Sequence, residues 1–296
     1  MEAQKPNATK PAAAPKAKAK TQKSNAPGIK NASIVILICF VITVCLYLFW
    51  FGNPIHFFDE GQVPEGFGPS MFFEEGEFHP KNLWGTIFMG GVIVPILQCL
   101  FLTVIVLCVE RFFALRSAKG KGDITKFVAN IKVALSKNDF AGAKQLCKKQ
   151  GGSVAAVVAQ AINSYEEMDK NTELTKEQKI ANIQKSLEEA TALEMPALQQ
   201  NLPILATMTT LGTLVGLLGT VIGMIKSFQA LSASGAPDST ALSAGISEAL
   251  INTAFGIATG AFAVIGYNFY TNKIDHLTYA IDEIGFSIVQ TFAASH

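Results

Sequence analysis

The stretch Gly245–Asn268 reads GISEALINTAFGIATGAFAVIGYN. It is apolar enough to cross a membrane, yet it carries Glu248, Asn252, Thr253 and Thr259. A carboxylate facing lipid near the bilayer centre costs about 3 kcal/mol or more. Glu248 stands some two turns from the outer end of this span, which reduces that cost without removing it. It must therefore face other helices or a wet cavity. Gly245, Glu248, Asn252, Gly256, Thr259 and Ala263 fall on one helical face and make a stripe of small and polar side chains. Thr253 is about 140° round the helix from Glu248. Either the polar lining is wide, or Thr253 meets a neighbouring helix.

The whole chain supports a membrane reading. Of its 296 residues, 49% are hydrophobic and only 16% are charged, where a soluble domain carries about 25% charge. Mean hydropathy is +0.31. Residues 1–33 hold seven Lys and one Glu among Ala and Pro. Such a tract buries no core and is expected to be disordered. Four apolar runs follow, at 34–51, 83–109, 202–228 and 243–270, each near the roughly 20 residues a span requires. The first, IVILICFVITVCLYLFWF, holds no charge, and the second contains Gly90, Gly91 and Pro95.

Orientation follows from Lys and Arg, which stay on the cytoplasmic side. The basic tail is expected inside. Residues 52–82 carry six acids and only Lys81, so they are expected outside. Residues 110–201 hold fourteen Lys and Arg and form an inside domain. The loop 229–242 has neither Lys nor Arg and lies outside, and 271–296 returns inside. Lys226, near the outer end of the third span, can snorkel to the headgroups.

The inside domain reads as helical. Ile124, Phe127, Ile131 and Leu135 make one apolar face. A shorter helix stops at Gly151–Gly152, a third follows, and Thr175 with Gln178 spells a capping box. No break is expected before Pro196, so the third span can begin well inside the cytoplasm. After the fourth span, Ile274, Leu277, Ile281, Ile284, Ile288 and Phe292 form a cytoplasmic helical stripe. The expected fold is all-α: a polytopic helical membrane protein with four spans and long helices extending into a cytoplasmic helical domain.

The third span places Thr209, Gly212, Thr213, Gly216, Thr220, Gly223 and Ser227 on one face made only of glycine and hydroxyl residues. Such a face packs membrane helices closely. With the polar stripe of the fourth span it also suits the lining of an ion pathway. One chain cannot easily enclose a pore with two helices, but a closed ring of copies can. A lumen of Thr, Asn and one Glu is only weakly acidic, so a titrating carboxylate is expected from a partner helix.

Other chemistry is not evident. The chain has no GxxxxGK[ST], GxSxG or HExxH pattern, and no enzyme activity or cofactor is expected. The five cysteines form no CxxC, and His56, His79, His276 and His296 are scattered, so no metal is expected. The basic tail suits nucleic acid or anionic lipid by charge. A solvated cytoplasmic tail is the plainer reading, and no nucleic-acid partner is expected.

At GTLVGLLGTVIGMIKSF (Gly212–Phe228) and Gly245–Asn268 the sequence resembles the MotA/TolQ/ExbB proton-channel family. CVERFFALR (Cys108–Arg116) is similar to the family's exit from its first common helix. The likeness runs from about Trp84 to Tyr270 and fits the ExbB and TolQ branches better than MotA. It implies a pentamer in the inner membrane of a Gram-negative cell, both termini cytoplasmic, around ExbD-like single-span helices bearing a membrane Asp. It further implies that proton flow moves that partner to energise TonB-dependent outer-membrane transport. A TolQ-like role in envelope integrity and division, or a non-conducting scaffold, are the alternatives. Thr220, Glu248 and Thr253 match the family's proton-pathway residues, and Asn252, Thr213, Thr209 and Thr259 join them as expected pore lining. The chain departs from the family at Phe262, where a proline is usual, and in its extra first span.

Overall fold

The computed structural model of the protein describes residues 31–56, 82–233 and 239–295. Most of the basic tail, most of the acidic segment 52–82 with His79, the middle of the loop 229–242, and His296 lie outside the described residues. Every regular element among those described is helical. Nine α-helices follow in order: α1 (Ala32–Leu46), α2 (Leu83–Phe88), α3 (Ile93–Lys119), α4 (Ile124–Ser136), α5 (Phe140–Gln150), α6 (Gly152–Lys170), α7 (Lys176–Gln199), α8 (Leu202–Ala233) and α9 (Ser239–Ser295). A π-helical turn, Tyr47–Phe51, extends α1. Among the described residues four helical stretches are long and apolar enough to cross a membrane: Ala32–Phe51 and parts of α3, α8 and α9.

The second apolar run is not one helix. It breaks between Phe88 and Ile93, where Gly91 adopts a φ of 73°. That left-handed conformation is cheap for glycine. Pro95 then sits in the first turn of α3, where a missing N–H is tolerated. The break leaves carbonyls without helical partners, a costly condition inside a bilayer.

A second break separates α7 from α8. Asn201 has a φ of 63°, a conformation Asn tolerates better than most side chains. Pro203 occupies the first turn of α8, and Pro196 is carried inside α7. The third span therefore starts afresh at Leu202 rather than continuing from α7.

Below the spans, α4, α5, α6 and the end of α9 enclose one apolar core. The α4 face buries Phe127, Ile131 and Leu135, and α9 buries its whole stripe from Ile274 to Phe292. Tyr165 joins these layers, its ring 4.8 Å from that of Phe292 and 4.5 Å from that of Phe140. Caps define the helix starts. Asp123 and Asp139 accept from backbone N–H groups of α4 and α5, and Thr175–Gln178 forms the reciprocal capping box of α7. The 57 residues of α9 run unbroken from the segment after α8 into this core, so one helix of about 85 Å links the apolar span to the helical core. Its hydrogen bonding passes through Phe262, which supplies the N–H that proline would lack. The Phe262 ring meets Phe101 edge-on at 5.4 Å.

Candidate functional site

The two small-residue stripes face each other. A Cβ placed on Gly216 would lie 2.8 Å from the Gly256 Cα, and one on Gly256 would lie 2.7 Å from the Gly216 Cα. Gly212 abuts Thr259, Gly219 abuts Asn252, and Gly223 abuts Ala249. Each pair is nearly equidistant in sequence from the midpoint between α8 and α9, as an antiparallel hairpin requires. Within the protomer the glycines of both stripes form the α8–α9 seam, so they pack helix on helix. Small residues permit that approach, and membrane helices gain van der Waals contact from it.

The expected site residues consequently part company. Asn252 and Thr259 are fully buried in the protomer. Thr259 Oγ1 donates to the Phe255 carbonyl at 2.8 Å, and Asn252 Nδ2 donates to the Gly90 carbonyl at 3.1 Å. Thr209 is half-buried and Thr213 exposed, and both hydroxyls bond back to carbonyls of their own helix. Thr220 and Thr253 come together across the seam, hydroxyl to hydroxyl, at its half-buried edge. Thr253 thus meets the neighbouring helix. Of the two possibilities open in the sequence, that is the one realised.

Glu248 is buried, with 6% of its surface exposed, and it is not alone. Lys226 Nζ donates to both carboxylate oxygens, at 2.9 and 3.0 Å. A charge pair carries much less penalty in a membrane than an isolated carboxylate. Lys226 therefore does more than snorkel. Its pairing was open to sequence reasoning, since residues 226 and 248 lie at matching depths once α8 and α9 form a hairpin. Gly91 closes the other side of Glu248, and a Cβ there would collide with Oε1.

A second polar centre lies near the inner end of α3. Arg111 is fully buried and holds Glu110 through Nε at 2.6 Å and Nη2 at 2.5 Å. Its Nη1 donates to the Leu198 carbonyl at 3.3 Å, and Asn201 Nδ2 donates to Glu110 Oε2 at 3.3 Å. Arg111 therefore satisfies a carbonyl at the end of α7 while Asn201 makes the turn into α8. Among the described residues no group of three or more His, Cys, Asp or Glu is arranged to hold a metal ion.

Comparison with known proteins gives this arrangement a class. Residues 154–283, from α6 through most of α9, match the MotA/TolQ/ExbB proton channel family. A putative biopolymer transport protein, ExbB-like 3, from Synechocystis is 37% identical over 94 residues, covering 30% of this chain and 45% of that one. The Tol-Pal system protein TolQ of Pseudomonas aeruginosa is 35% identical over 95 residues, covering 32% and 41%. The biopolymer transport protein ExbB of Xanthomonas campestris is 30% identical over 111 residues, covering 38% and 44%. The aligned stretches span less than half the length of each of these relatives. The stretch from α6 through most of α9 is thus similar to the MotA/TolQ/ExbB proton channel family, and the relatives that align with the chain are ExbB-like and TolQ proteins. Among the described residues the chain has four helices long and apolar enough to cross a membrane, as a multi-pass membrane protein would.

Proposed function

We propose that the protein is a proton-channel subunit of ExbB type. With an ExbD-like partner it uses the proton motive force to energise TonB-dependent outer-membrane transport. The observation that carries this reading is the pair of polar levels on the α8–α9 hairpin. One level is Lys226–Glu248 and the other is Thr220–Thr253, both within the stretch that matches the family. A partner carboxylate on a single-span helix would exchange its proton at these levels. Thr213 and Thr209 lie further in along the same pathway, and Asn252 and Thr259 support it from within the seam.

In this reading the chain works as a ring of copies, pentameric by family likeness, in the inner membrane with both termini in the cytoplasm. A TonB-like protein receives the motion on the outer side. The role is transport and energy transduction rather than catalysis of a covalent reaction. Apolar side chains exposed on one protomer support assembly: Leu193 of α7 and Phe286 of α9 lie open well below the spans. There, water rather than lipid would otherwise meet them.

The test is Glu248→Ala and Thr220→Ala in cells that depend on energised uptake. Both variants should assemble and lose uptake. Normal assembly with full uptake would refute the pathway. A TolQ-like role is the second reading, favoured by relatives of that name with identities of 35% and 39%. Deletion then separates them: lost iron-complex uptake with intact division marks the first, and leaky envelopes with faulty division mark the second.

A further inference from the structure

The extra first span ends on the same centre as Glu248. At the break between α2 and α3 the helical ladder changes register: the Gly91 N–H turns to the Phe88 carbonyl at 3.3 Å, and the carbonyls of Gly90 and Gly91 lose their i+4 donors. Pro95 has no N–H to give Gly91, and the Val94 N–H turns to Gly91 at 3.2 Å instead of to Gly90. Two side chains from distant helices add hydrogen bonds to this break. Asn252 of α9 donates to the Gly90 carbonyl. Tyr47 donates its single hydroxyl proton between the Phe88 carbonyl at 2.8 Å and the Gly91 carbonyl at 3.1 Å. Tyr47 itself is 2% exposed, and its ring stacks on Phe88 at 4.8 Å. Around it the end of the first span is clasped to α2. Phe51 lies 5.5 Å from Trp84, and Gly52 backs onto the Phe88 ring so closely that a Cβ would sit 2.8 Å away.

We propose that Tyr47 is a positioning residue: the first span braces the α2–α3 break through its hydroxyl, and the braced break holds Gly91 against Glu248. The inference rests on reading Glu248 as the working carboxylate of the membrane site. It assigns the first span a task that the family match does not cover, because residues 154–283 exclude α1, α2 and α3. The groups facing Glu248 include Lys226 from α8 and the backbone at Gly91 from the break, and Tyr47 reaches it through its bond to the Gly91 carbonyl. Lys226 holds the carboxylate from one side. The braced break fixes the other side and covers the carboxylate, while the Lys226 side chain stays half exposed.

Tyr47→Phe tests this, because it keeps the ring stacked on Phe88 and removes only the hydroxyl. Native membranes are treated with a hydrophobic carbodiimide, which labels protonated, accessible carboxyls in bilayers, and labelling at Glu248 is quantified by mass spectrometry. Losing one net hydrogen bond opens the break about fivefold more often. Labelling at Glu248 should rise by about that factor while the protein still assembles. An unchanged labelling rate overturns the brace, whatever uptake does. Faster labelling with fully retained uptake upholds the brace and counts instead against the role of Glu248 in transport. Should the variant fail to accumulate, backbone exchange in the unaltered protein decides. The Gly91 and Val94 amides should exchange as slowly as those in the middle of α3, and exchange at the rate of a frayed end overturns the brace.

Discussion

Arg111 offers the sharpest quantitative check on the packing that carries the membrane helices. It is fully buried, and it bonds both oxygens of Glu110 and the carbonyl of Leu198. Arg111→Met keeps the volume and removes the charge. Glu110 then remains buried without its counter-charge, with Asn201 among its contacts at 3.3 Å. Breaking one partner of a buried pair typically costs about 3–5 kcal/mol, because the surviving charge is uncompensated. Removing the surviving charge as well, in Glu110→Gln with Arg111→Met, should recover most of that loss. What stays lost is the cap on the Leu198 carbonyl, about 1–3 kcal/mol. The assay is denaturant titration of the purified protein in mild detergent, followed by circular dichroism. It is run on the parent, both single variants and the double variant. A single variant within about 1 kcal/mol of the parent would show that the pair is solvated rather than buried. A double variant as unstable as Arg111→Met would show that the arginine acts by its shape or its bond to Leu198, and not by neutralising Glu110.

Other expectations follow from single contacts. Gly256→Leu forces a side chain into the Gly216 backbone, which cannot move aside, and overpacking of this kind costs about 1–3 kcal/mol or more; folded protein recovered in detergent should fall sharply, and normal recovery would refute the seam. Cys147 lies in the apolar core of α4, α5, α6 and the end of α9, where burial pushes its thiol up to about 11. It should stay protonated and resist alkylation at pH 8, then react once denaturant opens the core; rapid labelling of the native protein at pH 8 would contradict this packing. Asp123 is held below the ordinary carboxylate range, chiefly by the Thr125 N–H. Its contribution to α4 is therefore complete above its unfolded value of about 4 and fades as pH falls through the lower folded value. Asp123→Ala should remove that acid-side dependence, as read by thermal melts between pH 3 and 7.

Local features were legible in the sequence, and partnerships between distant helices mostly were not. The α4 face, the Gly151–Gly152 stop, the capping box at Thr175 and the long stripe of α9 depend on neighbours within a few residues, so periodicity and caps reveal them. Gly90, Gly91 and Pro95 were visible inside the second span, but glycine and proline mark a possible break without fixing where the freed carbonyls go. Periodicity also assigned Asn252 and Thr259 to a face without saying what that face meets. A helical stripe of small residues reads the same against a lumen and against another helix. The phenol of Tyr47 binds carbonyls 41 and 44 residues away, a relation that no local pattern encodes.

The seam changes what a proton pathway through this protein can use. Since Gly212, Gly216, Gly219 and Gly223 are spent on packing α9, any surface that α8 offers to a lumen comes from its other faces. Those faces carry Leu214, Leu217, Val221 and Ile225, all exposed and all apolar. The hydroxyl of Thr213 is occupied by its own helix. An apolar wall of this kind conducts poorly by itself, because each ion or water on it forfeits hydrogen bonds. On the proposed reading, polarity reaches the edge of the hairpin at the Thr220–Thr253 contact and, six residues further out along α8, at Lys226–Glu248. That offset is about 9 Å along the axis. A carboxylate carried by a partner helix would be stable when it bonds the threonine pair or exchanges with the Lys226–Glu248 pair, and unstable between them. A mostly dry wall with two separated polar levels thus favours a moving partner over a continuous water file. Replacing Leu217 or Val221 with serine would bridge the levels. Such variants should leak protons in liposomes without supporting uptake, whereas tight liposomes with normal uptake would argue that protons travel elsewhere.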